Sequence, residues 1–166
     1  MKELLDKLSS YNIFNYLLPG ALLAAVVDEL TSFQILQKDI VIGVFIYYFL
    51  GSVVSRIGSL LIEPVFRKAG IVKFAPYEDY VRVSKEDPKL DVLSEANNMY
   101  RTLCSLMVCV GIISLYDKAS ISWPVLHTLV PTVLILGLFS LYVFSYRKQT
   151  AYITRRIESS PKQDGK

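Results

Sequence analysis

The sequence predicts an all-α, polytopic membrane protein: four transmembrane helices, with a helical cytoplasmic loop between the second and third. Two observations carry this. Apolar residues fall in four long blocks, about 11–27, 40–62, 100–116 and 123–146, and about 20 apolar residues match the ~30 Å hydrocarbon core of a bilayer. Basic residues gather on one side of those blocks. With both termini and the 64–99 loop inside, only Lys38 and Lys118 of the 18 Lys and Arg lie outside, which orients both ends toward the cytoplasm. The 166-residue chain is 52% hydrophobic, and its apolar residues come in blocks rather than an even pattern, so lipid is the expected solvent of a single domain. The orientation already accounts for a net charge of +3, and nucleic-acid binding is set aside.

The first block is the least regular. Asn12 and Asn15 make its inner half polar, and Pro19-Gly20 interrupts it. A helix broken in this way can line a polar pathway with loosened backbone carbonyls; the plainer reading is a kink beside an interhelical hydrogen bond. An interfacial or re-entrant helix and a cleaved signal peptide are the other readings. Glu3 and Asp6 among the leading lysines, with no small-x-small site before Asp28, oppose the signal peptide. A short external loop is expected over 28–39.

In the second block Gly43, Tyr47, Gly51, Ser55, Ser59 and Glu63 recur every four residues. Small residues at that spacing let helix backbones approach closely, since packing rather than the hydrophobic effect joins helices in lipid. Gly43, Gly51, Ser55 and Ser59 therefore form a face for bundle packing or for a homo-oligomer. Arg56 lies inside the same block. Its long stem can snorkel toward the interface; it can instead pair with Glu63 or a polar group of another helix, or line the pathway with Asn12 and Asn15.

The 64–99 loop carries its own helix signals. Arg67-Lys68-Ala69-Gly70 reads as a helix end with a left-handed glycine cap. Pro76 opens a short helix with Tyr77, Tyr80 and Val81 on one face, and Asp87-Pro88 starts the next. From Pro88 to Tyr116 the apolar steps run unbroken for on the order of 43 Å, so the third helix projects beyond the inner surface. Asn97, Asn98, Tyr100 and Arg101 collect where it enters the membrane, either as a contact for a partner or lipid head groups or as a polar collar. An external turn is expected over 116–122. Trp123 and Tyr146 frame the last block as interfacial aromatics, and Pro131 predicts a kink. Beyond it, Arg147, Lys148, Arg155 and Arg156 interleave with Tyr152, Ile153 and Ile157, which predicts a basic tail (147–166) lying on anionic lipid head groups.

Catalytic residues are not in view. His127 is the single histidine and has no second metal ligand in range, while Cys104 and Cys109 point different ways on one helix. No HExxH pair, GxSxG elbow or glycine-rich phosphate loop occurs. The sequence therefore predicts no catalytic residue, no cofactor and no metal site.

Two stretches carry a resemblance. They are Tyr11-Asn12-Ile13-Phe14-Asn15-Tyr16-Leu17-Leu18-Pro19-Gly20, and Phe74-Ala75-Pro76-Tyr77 through Lys85-Glu86-Asp87-Pro88-Lys89 to Asn97-Asn98-Met99-Tyr100-Arg101. Both resemble small, uncharacterised multi-spanning bacterial membrane proteins, some similar to membrane components of antiphage systems. The resemblance implies a bacterial origin and an inner (cytoplasmic) membrane setting, and it transfers no catalytic residue. The expected function is a non-enzymatic, oligomerising anchor, sensor or effector that presents its cytoplasmic loop to a cytosolic protein. The alternative is a small pore or transporter that alters membrane permeability, in the setting of a bacterial defence system.

Overall fold

The computed structural model describes residues 13–159. Among them the chain is all-helical. A π-helical turn, Ile13–Leu17, leads into α1 (Leu18–Leu30); α2 (Ile40–Lys68) contains a second π turn, Gly58–Ile62; then come α3 (Tyr77–Val83), α4 (Lys89–Ser122) and α5 (Val125–Glu158). Three of these helices, α2, α4 and α5, are long and apolar enough to cross a membrane. Only 6% of the apolar window of α5 is buried within the chain. A continuous apolar surface of that size is what lipid covers.

Over the first apolar block the described helix runs from the π turn Ile13–Leu17 straight into α1, three residues past the expected end at 27. Its α-helical part, Leu18–Leu30, is roughly 20 Å long, and the turn at Thr31 ends it. Both π turns stand at the same offset from a proline, Leu17 before Pro19 and Ile62 before Pro64. Proline lacks an N–H, and its ring crowds the carbonyl four residues back. Widening the preceding turn relieves that crowding without ending the helix.

α1 and α2 cross antiparallel at backbone distance. A Cβ added to Gly20 would overlap the Tyr47 carbonyl oxygen, and one added to Gly51 would overlap the Tyr16 carbonyl oxygen. The contact is thus reciprocal, each glycine receiving the carbonyl four residues before the other, a geometry suited to weak Cα–H···O contacts. Around it Leu23, Val27, Val54, Leu106 and Val110 make the core shared by α1, α2 and α4. α4 joins through Ser105 Oγ, which donates to the Val54 carbonyl at 2.9 Å. Gly58 lies close to the Arg101 carbonyl.

At the end of the bundle where α1 turns into α2, the connection is held by carboxylates. Asp28 accepts from the Ile35 and Leu36 N–H groups, Asp39 caps α2 through Val41 and Ile42, and Asp117 accepts from Ser32. Instead of the expected turn over 116–122, α4 continues to Ser122. No breaker intervenes before Pro124, and Asp117 is used as an anchor rather than as a stop.

The opposite end differs from expectation at the tail. α5 runs unbroken through Arg147-Lys148 to Glu158, because no Gly or Pro occurs between 138 and 159, so residues 147–158 continue the rod. At roughly 51 Å each, α4 and α5 exceed the hydrocarbon core by about 20 Å. α3 packs beside the far end of α5, with the Tyr77 and Tyr152 rings 6.1 Å apart and Val81 buried. Gly70 adopts the left-handed cap (φ 72°), and the Asp87 carboxylate accepts from Lys89 N–H at the start of α4.

The crossing makes a sharp stability prediction. Gly20→Ala or Gly51→Ala should each cost about 1–3 kcal/mol through overpacking. Gly111→Ala adds a methyl that meets nothing within 4 Å and should be neutral or slightly stabilising. Thermal unfolding in detergent measures this; equal melting temperatures for Gly51→Ala and Gly111→Ala would refute the crossing.

Candidate functional site

The polar residues buried at the end of the bundle opposite the α1–α2 connection converge on Glu63. Arg101 Nη1 of α4 donates to Glu63 Oε2 at 2.7 Å, and Lys148 Nζ of α5 donates to Glu63 Oε1 at 3.3 Å. Lys148 Nζ also donates to the Ser59 carbonyl at 2.7 Å and to Ser59 Oγ at 2.8 Å. All three ammonium protons are therefore used.

The local backbone explains why Ser59 can serve. In the π turn the Glu63 N–H donates to the Gly58 carbonyl, and the next residue, Pro64, has no N–H. The Ser59 carbonyl is left without its donor in that register, and a bare carbonyl within a helix is costly in lipid. Lys148 supplies the missing proton. Two cations meet one carboxylate here, and the side chains of Glu63, Arg101 and Lys148 are only 10%, 21% and 26% exposed, so solvent screens the cluster weakly. The excess cation leaves the node positive, and among the described residues the buried Arg101 Nε has no hydrogen-bond partner.

The predicted site residues divide between this node and other places. Arg56 is held by the Tyr16 hydroxyl at 2.9 Å rather than by Glu63. The intervening π turn offsets the two by about one residue's rotation, which carries Glu63 toward α4 and α5. Gly43, Gly51, Ser55 and Ser59 are all buried within the chain: Gly43 beside the Tyr47 ring and Gln37, Gly51 against α1, and Ser59 at the node. Asn15, Pro19 and Gly20 are buried on the first helix, while Asn12 lies outside the described residues. Asn97 and Tyr100 are exposed, Asn98 is half-buried, and Arg101 turns inward. Arg147 faces out and Lys148 faces in, although the two are adjacent.

Sequence reasoning missed the union of Glu63, Arg101 and Lys148. A signal was present in α5, where Leu141, Ser145, Lys148 and Tyr152 recur at three- and four-residue steps on one face. Tyr142 borders that face, its hydroxyl 3.0 Å from Ser52 Oγ and its ring stacked near Phe49. His127 stands 3.5 Å from the Tyr116 hydroxyl, at the end opposite Glu63. Among the described residues no group of three or more His, Cys, Asp and Glu is placed to hold a metal ion.

No family model, curated protein or solved structure matches this chain.

The arrangement fastens three helices at a single level of the bundle. Glu63→Leu strands two half-buried cations and should cost about 3–5 kcal/mol. Adding Lys148→Met to Glu63→Leu should recover part of that loss. Denaturation of the two single variants and the double variant measures the coupling; a value under about 0.5 kcal/mol would mean that Lys148 and Glu63 act independently.

Proposed function

We propose that the protein is a non-enzymatic, four-span anchor of the bacterial inner membrane, with both termini cytoplasmic, that presents a helical platform to a cytosolic protein. The π turn and α1, Ile13–Leu17 and Leu18–Leu30, supply the fourth span. The observation carrying this reading is the length of α4 and α5, which outrun the hydrocarbon core at the end richest in Lys and Arg. There α3 fills in beside α5, so the 64–99 loop forms a built surface rather than a slack connection. On its exposed side the projecting part of α4 shows Val92 and Leu93, 66% and 64% exposed. Apolar side chains outside the lipid zone suit a protein contact.

The homo-oligomer belongs to the same proposal, through a face other than Gly43-to-Ser59, which is covered from within the chain. Ile135, Phe139, Val143 and Tyr146 on α5 offer that face, all of them exposed.

Topology and partner contact can be tested together, with Cys104 and Cys109 replaced by serine. A cysteine at Lys85 should resist a membrane-impermeant label applied to intact cells and react after lysis, while one at Lys38 should react from outside. A cytosolic protein recovered with the tagged chain should be lost with Val92→Glu plus Leu93→Glu. Labelling of Lys85→Cys from outside would overturn the orientation. In native membranes, crosslinking through a cysteine at Ile135 should capture a second copy; monomer alone would remove self-association from the proposal. Depolarisation on induced expression, altered by Arg56→Ala, would replace the anchor with the pore.

A further inference from the structure

A groove between α2 and α5 has the dimensions and chemistry of a lipid site. Its volume is about 540 Å³, and Leu60, Leu61, Gly137, Ser140, Leu141 and Phe144 line it with almost wholly apolar atoms. Gly137 and Ser140 leave the room, since a Cβ added to Gly137 would meet nothing within 4 Å. At its inner end the groove reaches Arg147, Lys148 and Ala151. It then adjoins a second hollow of about 280 Å³ that shares Leu60, Lys148 and Ala151 and adds Arg67 and Arg155.

Two geometric facts select the occupant. From Gly137 to Arg147 is ten helical steps, roughly 15 Å, half of the ~30 Å hydrocarbon core and therefore one leaflet. Arg147, Ala151 and Arg155 follow at four-residue spacing, so they share a face of α5 with a notch at the alanine between two guanidinium groups. Among the described residues the one acid lining the shared mouth is Glu63, already bound to Arg101 and Lys148; Glu78 and Glu158 lie farther on, in a hollow they share with Arg155. Lys148 has no proton left to donate, so it contributes charge while the arginines contribute hydrogen bonds. Bidentate guanidinium–phosphate pairing is the strong form of that contact.

We propose that this groove holds one acyl chain of an anionic phospholipid of the inner leaflet, with its phosphate over Ala151 between Arg147 and Arg155. The leaflet assignment rests on the orientation given above; the site itself does not. A lipid so placed fills the space where α5 stands off from α2 and supplies the negative charge that the cluster lacks.

The test uses the full chain in mild detergent, with retained lipid read by native mass spectrometry after addition of phosphatidylglycerol or phosphatidylcholine. One phosphatidylglycerol per chain should be retained at least ~10-fold more than phosphatidylcholine, the factor given by about 1.4 kcal/mol. Arg147→Gln with Arg155→Gln should abolish the preference. Ser140→Phe should lower retention of phosphatidylglycerol by filling the groove, while the melting temperature of the lipid-free protein stays unchanged. Equal retention of both lipids would overturn the proposal. Retention indifferent to Ser140→Phe would overturn it too, because the contact would then be a head-group contact without a groove. If Ser140→Phe fails to fold, Gly137→Leu on the same wall makes the same test. Labelling of Lys85→Cys from outside would reverse the leaflet and leave lipid retention in detergent standing, so the two failures are distinct.

Discussion

Two helices can touch backbone to backbone only where neither carries a side chain, and the crossing of Gly20 with Gly51 is such a place. In water, burial of apolar surface would hold α1 to α2 even with a looser fit. In lipid that drive is absent, and close van der Waals contact must replace it. The crossing therefore sets the distance between the first two helices, and with it the positions of Leu23, Val27 and Val54, against which α4 packs. It also places the Tyr16 hydroxyl opposite Arg56, so that a cation inside an apolar helix finds an acceptor within the bundle.

The prolines act as a second constraint, through what they withhold. Each π turn accommodates a proline without ending its helix, and the one before Pro64 leaves the Ser59 carbonyl without a backbone donor. Lys148 meets that carbonyl and Glu63 at once, which joins α5 to α2 at a point where the two otherwise stand apart. α5 is held mainly there and at Tyr142, and the gap between those attachments and the lipid-facing surface is the groove. A helix fastened at a few points rather than along its length leaves space for a lipid chain.

The polar end of the molecule is built by the same long helices as the membrane part. Because α4 and α5 pass out of the apolar zone without a break, α3 has rigid walls to pack on, and the loop gains a defined surface. The node at Glu63 is buried and carries two cations against one carboxylate, where α5 meets α2 and α4.

The sequence by itself determined what depends on local composition: four apolar blocks, the side on which Lys and Arg gather, the Gly70 cap, the short helix after Pro76 and the Asp87 start signal. Each follows from residues within a few positions of one another, and periodicity displays it directly. Gly51 was legible as a close-packing residue, but whether its neighbour was α1 or another copy was not, because a small residue announces proximity without naming what approaches. Only the tertiary structure decided that α1 fills that face, that Arg101 and Lys148 turn inward to Glu63, and that Arg147 does not. Those outcomes depend on a π turn that rotates one helix face and on the mutual placement of residues 38 and 85 positions apart in the chain. Hydrophobic patterning carries no record of either, since a charge at the membrane boundary looks the same in sequence whether it meets water, a phosphate or a carboxylate of a neighbouring helix.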